Sequence, residues 1–211
     1  MKLLSINAGE KRTQQNKNKT EITGIYKIPV DGPVNILTLG IAQDFIASKR
    51  HHGGPDQAIY IYGETDYQWW ETELDRDLIP GMFGENLTIS NLESNTFNVG
   101  DFLHIRDVIL QVTAPRIPCG TFASRMGDRQ WVKRFRAGER PGLYCRVMRE
   151  GVIEAGFSVR IEKYQGETVS VLQMFRDFYN KDKSAESLRK HLNAPIAIRA
   201  RVDLEKELGK L

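Results

Sequence analysis

Gln111-Val112-Thr113-Ala114-Pro115-Arg116-Ile117-Pro118-Cys119-Gly120 carries an apolar strand directly into a loop that two prolines hold. Proline fixes φ and lacks an N–H, so neither Pro115 nor Pro118 belongs in a central strand or a helix interior, and the segment past Ala114 is an ordered loop. Cys119 is therefore presented on a loop. Arg116, three residues earlier, supplies a cation that favours the thiolate, the form that acts as nucleophile or metal ligand. On these residues alone, a surface loop with an incidental cysteine fits equally well.

Outward from this loop the chain alternates. Asp107 to Thr113 is read as the strand that feeds it, preceded by the turn Asn98-Val99-Gly100-Asp101 and the strand Phe102–Ile105. Downstream, Trp131 and Phe135, four apart in a basic segment, predict a short helix with a cationic outer face. In Leu143-Tyr144-Cys145-Arg146-Val147-Met148 the period of two puts Leu143, Cys145 and Val147 on one face, which makes Cys145 a buried, inert counterpart to Cys119. Glu150-Gly151 predicts a hairpin turn, and Val159–Tyr164 a closing strand.

Upstream, Leu4 and Ile6 mark a first strand, and Thr20–Val30 with Val34–Leu37 predicts strands joined through Asp31-Gly32-Pro33. Paired glycines and a proline in His51-His52-Gly53-Gly54-Pro55-Asp56 force a sharp bend, with Asp56 placed to cap whatever follows. Tyr67, Trp70 and Leu74 recur at helical spacing after Thr65, a candidate cap, and Glu85-Asn86 precede another strand. From Thr168 the apolar period becomes helical, in three short pieces separated near Lys181-Asp182-Lys183 and Asn193-Ala194-Pro195. The boundary is placed at residue 166, giving a mainly β domain (1–166) and a three-helix C-terminal domain (167–211).

Composition narrows the function. With 40% hydrophobic and 27% charged residues over 211 positions, the chain is of the globular class. The net charge of +3 resides wholly in residues 168–211, which hold nine Lys/Arg and six Asp/Glu; this is a solvated helical surface, not the dense basic stripe of a nucleic-acid binder. No apolar run suits a signal peptide or a bilayer, so a cytoplasmic protein with no membrane partner is expected. Two cysteines are too few for an all-cysteine iron–sulfur cluster, and there is no dinucleotide fingerprint or P-loop string. Electrons for any redox chemistry must come from another protein.

Taken together, Lys49-Arg50-His51-His52-Gly53-Gly54-Pro55-Asp56-Gln57-Ala58, Phe83-Gly84-Glu85-Asn86-Leu87, Val99-Gly100-Asp101 and Gln111 to Cys119 resemble the MOSC family, named for the C-terminal domain of molybdenum cofactor sulfurase, in its stand-alone YiiM-like branch. The resemblance runs nearly the whole chain, helical tail included. It implies a closed, mostly β-stranded barrel with a few short helices that binds the molybdenum–pterin cofactor, with Cys119 as the molybdenum ligand. His52, Asp56, Asn86 and Arg116 match motif positions expected to face the same pocket, with Gly53 and Gly54 beside them. Members of the family reduce N-hydroxylated bases and related compounds to amines, taking electrons from a flavin or iron–sulfur partner. Gln43 replaces a usual glycine before Asp44, and Phe157 follows Gly156 where many relatives have aspartate, a position associated with barrel closure.

On this basis Cys119, His52 and Asp56 are the expected catalytic set, the latter two orienting substrate or relaying protons. Arg116, with one or more of Lys49, Arg50, Arg134 and Arg136, is expected to hold the cofactor phosphate. The same residues also accommodate a non-catalytic carrier of cofactor or of persulfide sulfur on Cys119, or a hydrolase with Cys119 as nucleophile and His52 as base. The tail is read as a cap over a barrel edge, with docking of the electron donor as the alternative.

Overall fold

The alternation in Ile59-Tyr60-Ile61-Tyr62 divides the interior into two cores. A computed structural model describes residues 1–16, 19–47 and 52–210; Lys49, Arg50 and His51 lie outside them. Successive strand side chains point to opposite faces. Ile59 and Ile61 accordingly join an aliphatic core with Leu3, Ile6, Leu87, Leu110 and Leu143, while Tyr60 and Tyr62 join an aromatic one with Trp70, Phe83, Phe122, Trp131 and Phe135. Cys145 is fully buried in the aliphatic core.

The strands follow in chain order as β1 (Leu3–Gly9), β2 (Arg12–Asn16), β3 (Lys19–Thr23), β4 (Lys27–Pro29), β5 (Val34–Leu37), β6 (Gly40–Ile41) and β7 (Ile59–Gly63). After helix α1 (Glu64–Leu74) come β8 (Leu87–Ile89), β9 (Phe102–Ile105) and β10 (Val108–Ala114). Helices α2 (Gly120–Met126) and α3 (Trp131–Gly138) precede β11 (Leu143–Arg149), β12 (Gly151–Ile153) and β13 (Val159–Glu162). The chain ends in α4 (Val171–Phe178), α5 (Ala185–Asn193) and α6 (Ile198–Leu208).

Eight strands form a mixed sheet in the order β13-β9-β10-β11-β7-β8-β1-β4; β12-β5-β6 make a second sheet and β2-β3 a separate hairpin. Among the described residues only β7 and β8 run parallel, pairing Ile61 with Leu87, and the crossover this demands is the segment containing α1. That helix starts at Glu64 on Gly63, not on Thr65 as its sequence suggested.

Among the described residues the closed barrel implied by the family resemblance is not found as a continuous ladder. β13 and β1 instead approach through a single bridge, Lys2 with Ser158, flanked by hydrogen bonds from Leu3 N–H to Phe157 O (2.9 Å) and Val159 N–H to Met1 O (3.0 Å). Phe157, one of the unusual residues, thus sits on this seam.

The three terminal helices are seated on the sheet by backbone bonds, Val99 N–H to Val169 O (2.9 Å) and Ala197 N–H to Thr113 O (3.2 Å). Ser170 and Ser184 cap α4 and α5, accepting from Gln173 N–H and Ser187 N–H. Among the described residues no helix is long and apolar enough to cross a membrane.

Candidate functional site

β10 delivers the Pro115–Pro118 loop across the end of the sheet, and Cys119 stands at the N-cap of α2 in extended conformation (φ −129°, ψ 174°). Its Sγ lies 3.8 Å from His52 Nε2, joining residues far apart in the chain. Cys119 is half-buried, unlike Cys145, whose thiol is pushed well up by burial. A thiol reagent should therefore modify one sulfur per native chain and two after unfolding, and Cys119→Ser should leave none reactive until denaturant is added.

Cys119, His52, Thr121, Tyr144 and Ile22 border two cavities at once. The smaller, of about 110 Å³, reaches inward to Lys27, Tyr60, Gly84 and Arg116. The larger, of about 890 Å³, opens between the proline loop and the terminal helices.

Arg116 is 5% exposed, with its guanidinium over the rings of Phe122 (4.6 Å) and Tyr60 (4.9 Å), and its Nε has no hydrogen-bond partner. Burial alone would depress its pKa, but Tyr144, Tyr60, Cys119 and Glu85 nearby outweigh this and hold the cation. Gly84 at φ +74° brings the backbone close, since a Cβ there would lie 2.9 Å from Ile25 and 3.5 Å from Arg116 Nη1.

Next to Gly84, Glu85 is fully buried; its Oε1 accepts from Tyr67 Oη (2.6 Å), Gly81 N–H (2.6 Å) and Thr88 Oγ1 (2.9 Å), while Oε2 has no partner. Burial raises its pKa, with those hydrogen bonds opposing. The folded protein then keeps a proton at pH values where the unfolded chain, titrating near ~4.3, has released it, so this group makes stability fall as pH rises from there. Urea unfolding of Glu85→Gln should shift in favour of the variant between about pH 4 and pH 7 relative to wild type; a pH-independent difference would contradict the raised value.

Several expected site residues are employed elsewhere. Asp56, in the short 3-10 helix Pro55–Gln57, lines neither cavity: its carboxylate pairs with Arg146 Nε (3.0 Å) and accepts from Ile198 N–H (2.7 Å), the first N–H of α6. Asn86 also lines neither; its Oδ1 accepts from Tyr60 N–H (3.1 Å) and its Nδ2 donates to Asp44 Oδ2 (2.9 Å). These two side chains, Asn86 buried and Asp56 half-buried, bond to backbone and charge on other segments and border neither cavity. Gly53 and Gly54 shape the bend, Gly54 at φ +86°, without bordering either cavity. Arg134 pairs with Asp128 (3.3 Å) at the surface and Arg136 stacks on Tyr179 (4.2 Å), and neither borders either cavity; Lys49 and Arg50 fall outside the described residues.

Lys27 was the residue the sequence hid. It interrupts the apolar run Ile25-Tyr26-Lys27-Ile28, borders the inner cavity and forms an ion pair with Asp44, both side chains nearly inaccessible. Burial lowers its pKa although Asp44 pulls the other way. Tyr144 was also missed, yet its alternation with Leu143 and Cys145 already placed it on the opposite, site-facing side.

The donor set fits a metal carried within an organic anion. Cys119 offers a soft sulfur, Arg116 a buried cation with a free Nε, and among the described residues no cluster of three or more His, Cys, Asp or Glu would hold a metal unaided.

A thiol and an imidazole at the end of a strand-rich sheet, above a buried arginine, define the class, and a family model agrees: the MOSC domain matches residues 48–160. The chain belongs to the MOSC domain family, which associates it with the molybdenum cofactor. Within that family it is YiiM-like. Its structure superimposes on the crystal structure of YiiM from Geobacillus stearothermophilus with TM-score 0.81 and 25% identity, covering 98% of each chain. It is 30% identical to the uncharacterized protein YflK of Bacillus subtilis over 90% of this chain and 86% of that one. A protein from Gibberella moniliformis named "Reductase" is 32% identical over 92% of this chain, which spans 35% of that longer protein.

Proposed function

We propose that the protein is a molybdenum-cofactor-dependent reductase that converts N-hydroxylated bases and related N-oxygenated compounds to amines, with electrons from a separate flavin or iron–sulfur protein. The observation that carries this reading is the position of Cys119 on the wall shared by the buried cationic cavity and the open cleft. A relative named as a reductase supports redox chemistry in this family.

Cys119 would ligate the metal and Arg116 hold the anionic part of the cofactor on the inner side. When bound, the cofactor supplies a two-electron metal centre. Reduction of N–OH consumes two electrons and two protons, breaks the N–O bond and releases amine and water. His52, with Nε2 3.8 Å from the sulfur, stands where it can pass a proton to the departing oxygen. Pro115, Ile117 and Pro118 line the cleft with apolar surface and would keep water from one side of the substrate. In this proposal residues 1–166 house the cofactor and 167–211 complete the cleft.

Molybdenum and pterin analysis of the purified protein, followed by assay with a chemical reductant and an N-hydroxylated base, tests it. Bound cofactor with amine formation is the expected result. Stable binding without amine would leave a carrier, and esterase activity without molybdenum would leave a thiol hydrolase.

A further inference from the structure

The basic segment that follows the Cys119 loop borders neither cavity. In α3, Trp131 and Phe135 are fully buried, so Lys133, Arg134 and Arg136 fall on the opposite side of the helix and are exposed, as is Arg129 just before it. Two carboxylates lie among these cations, and both are already engaged. Asp128 accepts from Gln130 N–H (2.7 Å) and pairs with Arg134 Nε (3.3 Å); Glu139 accepts from Arg176 Nε of α4 (2.6 Å). Among the described residues Arg129 and Lys133 have no ion-pair partner. Arg129, Lys133, Arg134, Arg136 and Arg176 against Asp128 and Glu139 leave an excess of three positive charges on this face. The arrangement works against the helix: Lys133 and Arg134 sit in its first turn, where the dipole disfavours cations, and Lys133 and Arg136 are three apart, where like charges repel. The face continues onto α4 through Arg136, whose guanidinium lies 4.2 Å from the Tyr179 ring, and Tyr179 packs edge-on against Phe178 (5.1 Å), an apolar ring left 58% exposed. Inward it is one aromatic layer from the inner cavity, since Phe122 touches both Arg116 (4.6 Å) and Trp131 (5.5 Å).

We propose that the outer face of α3, with the end of α4, is the docking surface of the electron donor, and that this donor is an acidic flavin or iron–sulfur protein. This rests on the reductase reading and deepens it by giving the donor a seat and a charge. For each N–O bond broken, two electrons cross from the donor, one from each of two reduced one-electron carriers, while two protons are taken up and amine and water leave. Such encounters need little area, less than about 1,200 Å², and opposite charge on the two partners speeds them. The exposed Phe178 ring beside the cations supplies the apolar contact of an interface with a charged rim. A nucleic acid would also meet cations, but these occupy one eight-residue helix and its flanks, not an extended stripe.

The test uses the cofactor-loaded protein, an N-hydroxylated purine as substrate and three donors: an acidic [2Fe–2S] ferredoxin, an acidic flavodoxin, and reduced methyl viologen, a small cation that needs no seat. In Arg129→Glu/Lys133→Glu, kcat/KM for the protein donors should fall at least about tenfold at low ionic strength, while viologen-driven turnover stays within about twofold of wild type. Added salt should slow protein-driven turnover in wild type and change the variant little. Calorimetric titration with the oxidised protein donors reads the seat without turnover, and affinity should weaken at least about tenfold in the same variant. An equal charge reversal at the seam of β1 and β13, Lys2→Glu/Arg160→Glu, should keep rate and affinity within about threefold of wild type. If viologen drives no amine formation, the reductase reading falls while the titration still decides the seat. The proposal is overturned if neither protein donor binds wild type, if the α3 variant, shown folded by thermal unfolding, keeps wild-type rate and affinity, or if the seam variant loses as much. It is also overturned if a single-stranded oligonucleotide binds this face more tightly than the protein donors and displaces them.

Discussion

Cys119→Ser is expected to lower amine formation by more than about a hundredfold, beyond the 10- to 100-fold typical of losing a supporting hydrogen bond around a metal. Serine keeps the size and polarity of the side chain but offers a hard oxygen that stays protonated at neutral pH, so the soft anionic donor is gone. Molybdenum retained per chain after gel filtration should fall together with the rate. The fold should survive, because Cys119 sits half-buried at a helix cap whose side chain makes no capping bond. Comparable unfolding midpoints with lost metal would assign the effect to ligation; full activity in the serine variant would remove Cys119 from the mechanism.

The second large effect concerns the buried charges behind the inner cavity. Asp44→Ala should destabilise the protein by about 3–5 kcal/mol, the range for removing one member of a buried pair. Asp44 Oδ1 accepts from Gly9 N–H (2.7 Å), Oδ2 from Asn86 Nδ2 (2.9 Å), and the carboxylate pairs with Lys27. With Asp44 gone, Lys27 must lose its proton or remain an uncompensated cation near Arg116, which already lowers its pKa. Restoring neutrality in Asp44→Ala/Lys27→Met should recover a large part of the loss, as measured by urea unfolding. Equal destabilisation in single and double variants would mean that the hydrogen bonds to Gly9 and Asn86, and not the stranded charge, dominate.

This pair also shows what a linear reading reaches. The position of Cys119 after a proline-locked strand end was legible because proline constrains its own neighbourhood. So was the contrast with Cys145, which needs only the period of two across Leu143-Tyr144-Cys145. The three terminal helices appeared where their apolar spacing put them, with breaks near residue 182 and residue 194.

Asp56 and Asn86 went the other way. As sequence, both sit in motifs beside a glycine bend and read as pocket residues. In the folded chain Asp56 caps a helix 142 positions later, and Asn86 is bound to Asp44, 42 positions earlier. A polar side chain takes whichever donor or charge the tertiary structure brings to it, and the partner is chosen by packing, not by adjacency.

By itself, then, the sequence determined the strand-rich body, the helical tail, and the inert and the presented cysteine, since each follows from local stereochemistry or a short motif. Only the tertiary structure decided that His52 meets Cys119, that Lys27 and Arg116 back the inner cavity, that Asp56 and Asn86 bond to other segments, that β13 approaches β1 through one bridge, and that α4 to α6 form the far wall of the cleft. Those outcomes depend on which distant segments exclude water together, and no window of neighbouring residues contains that information.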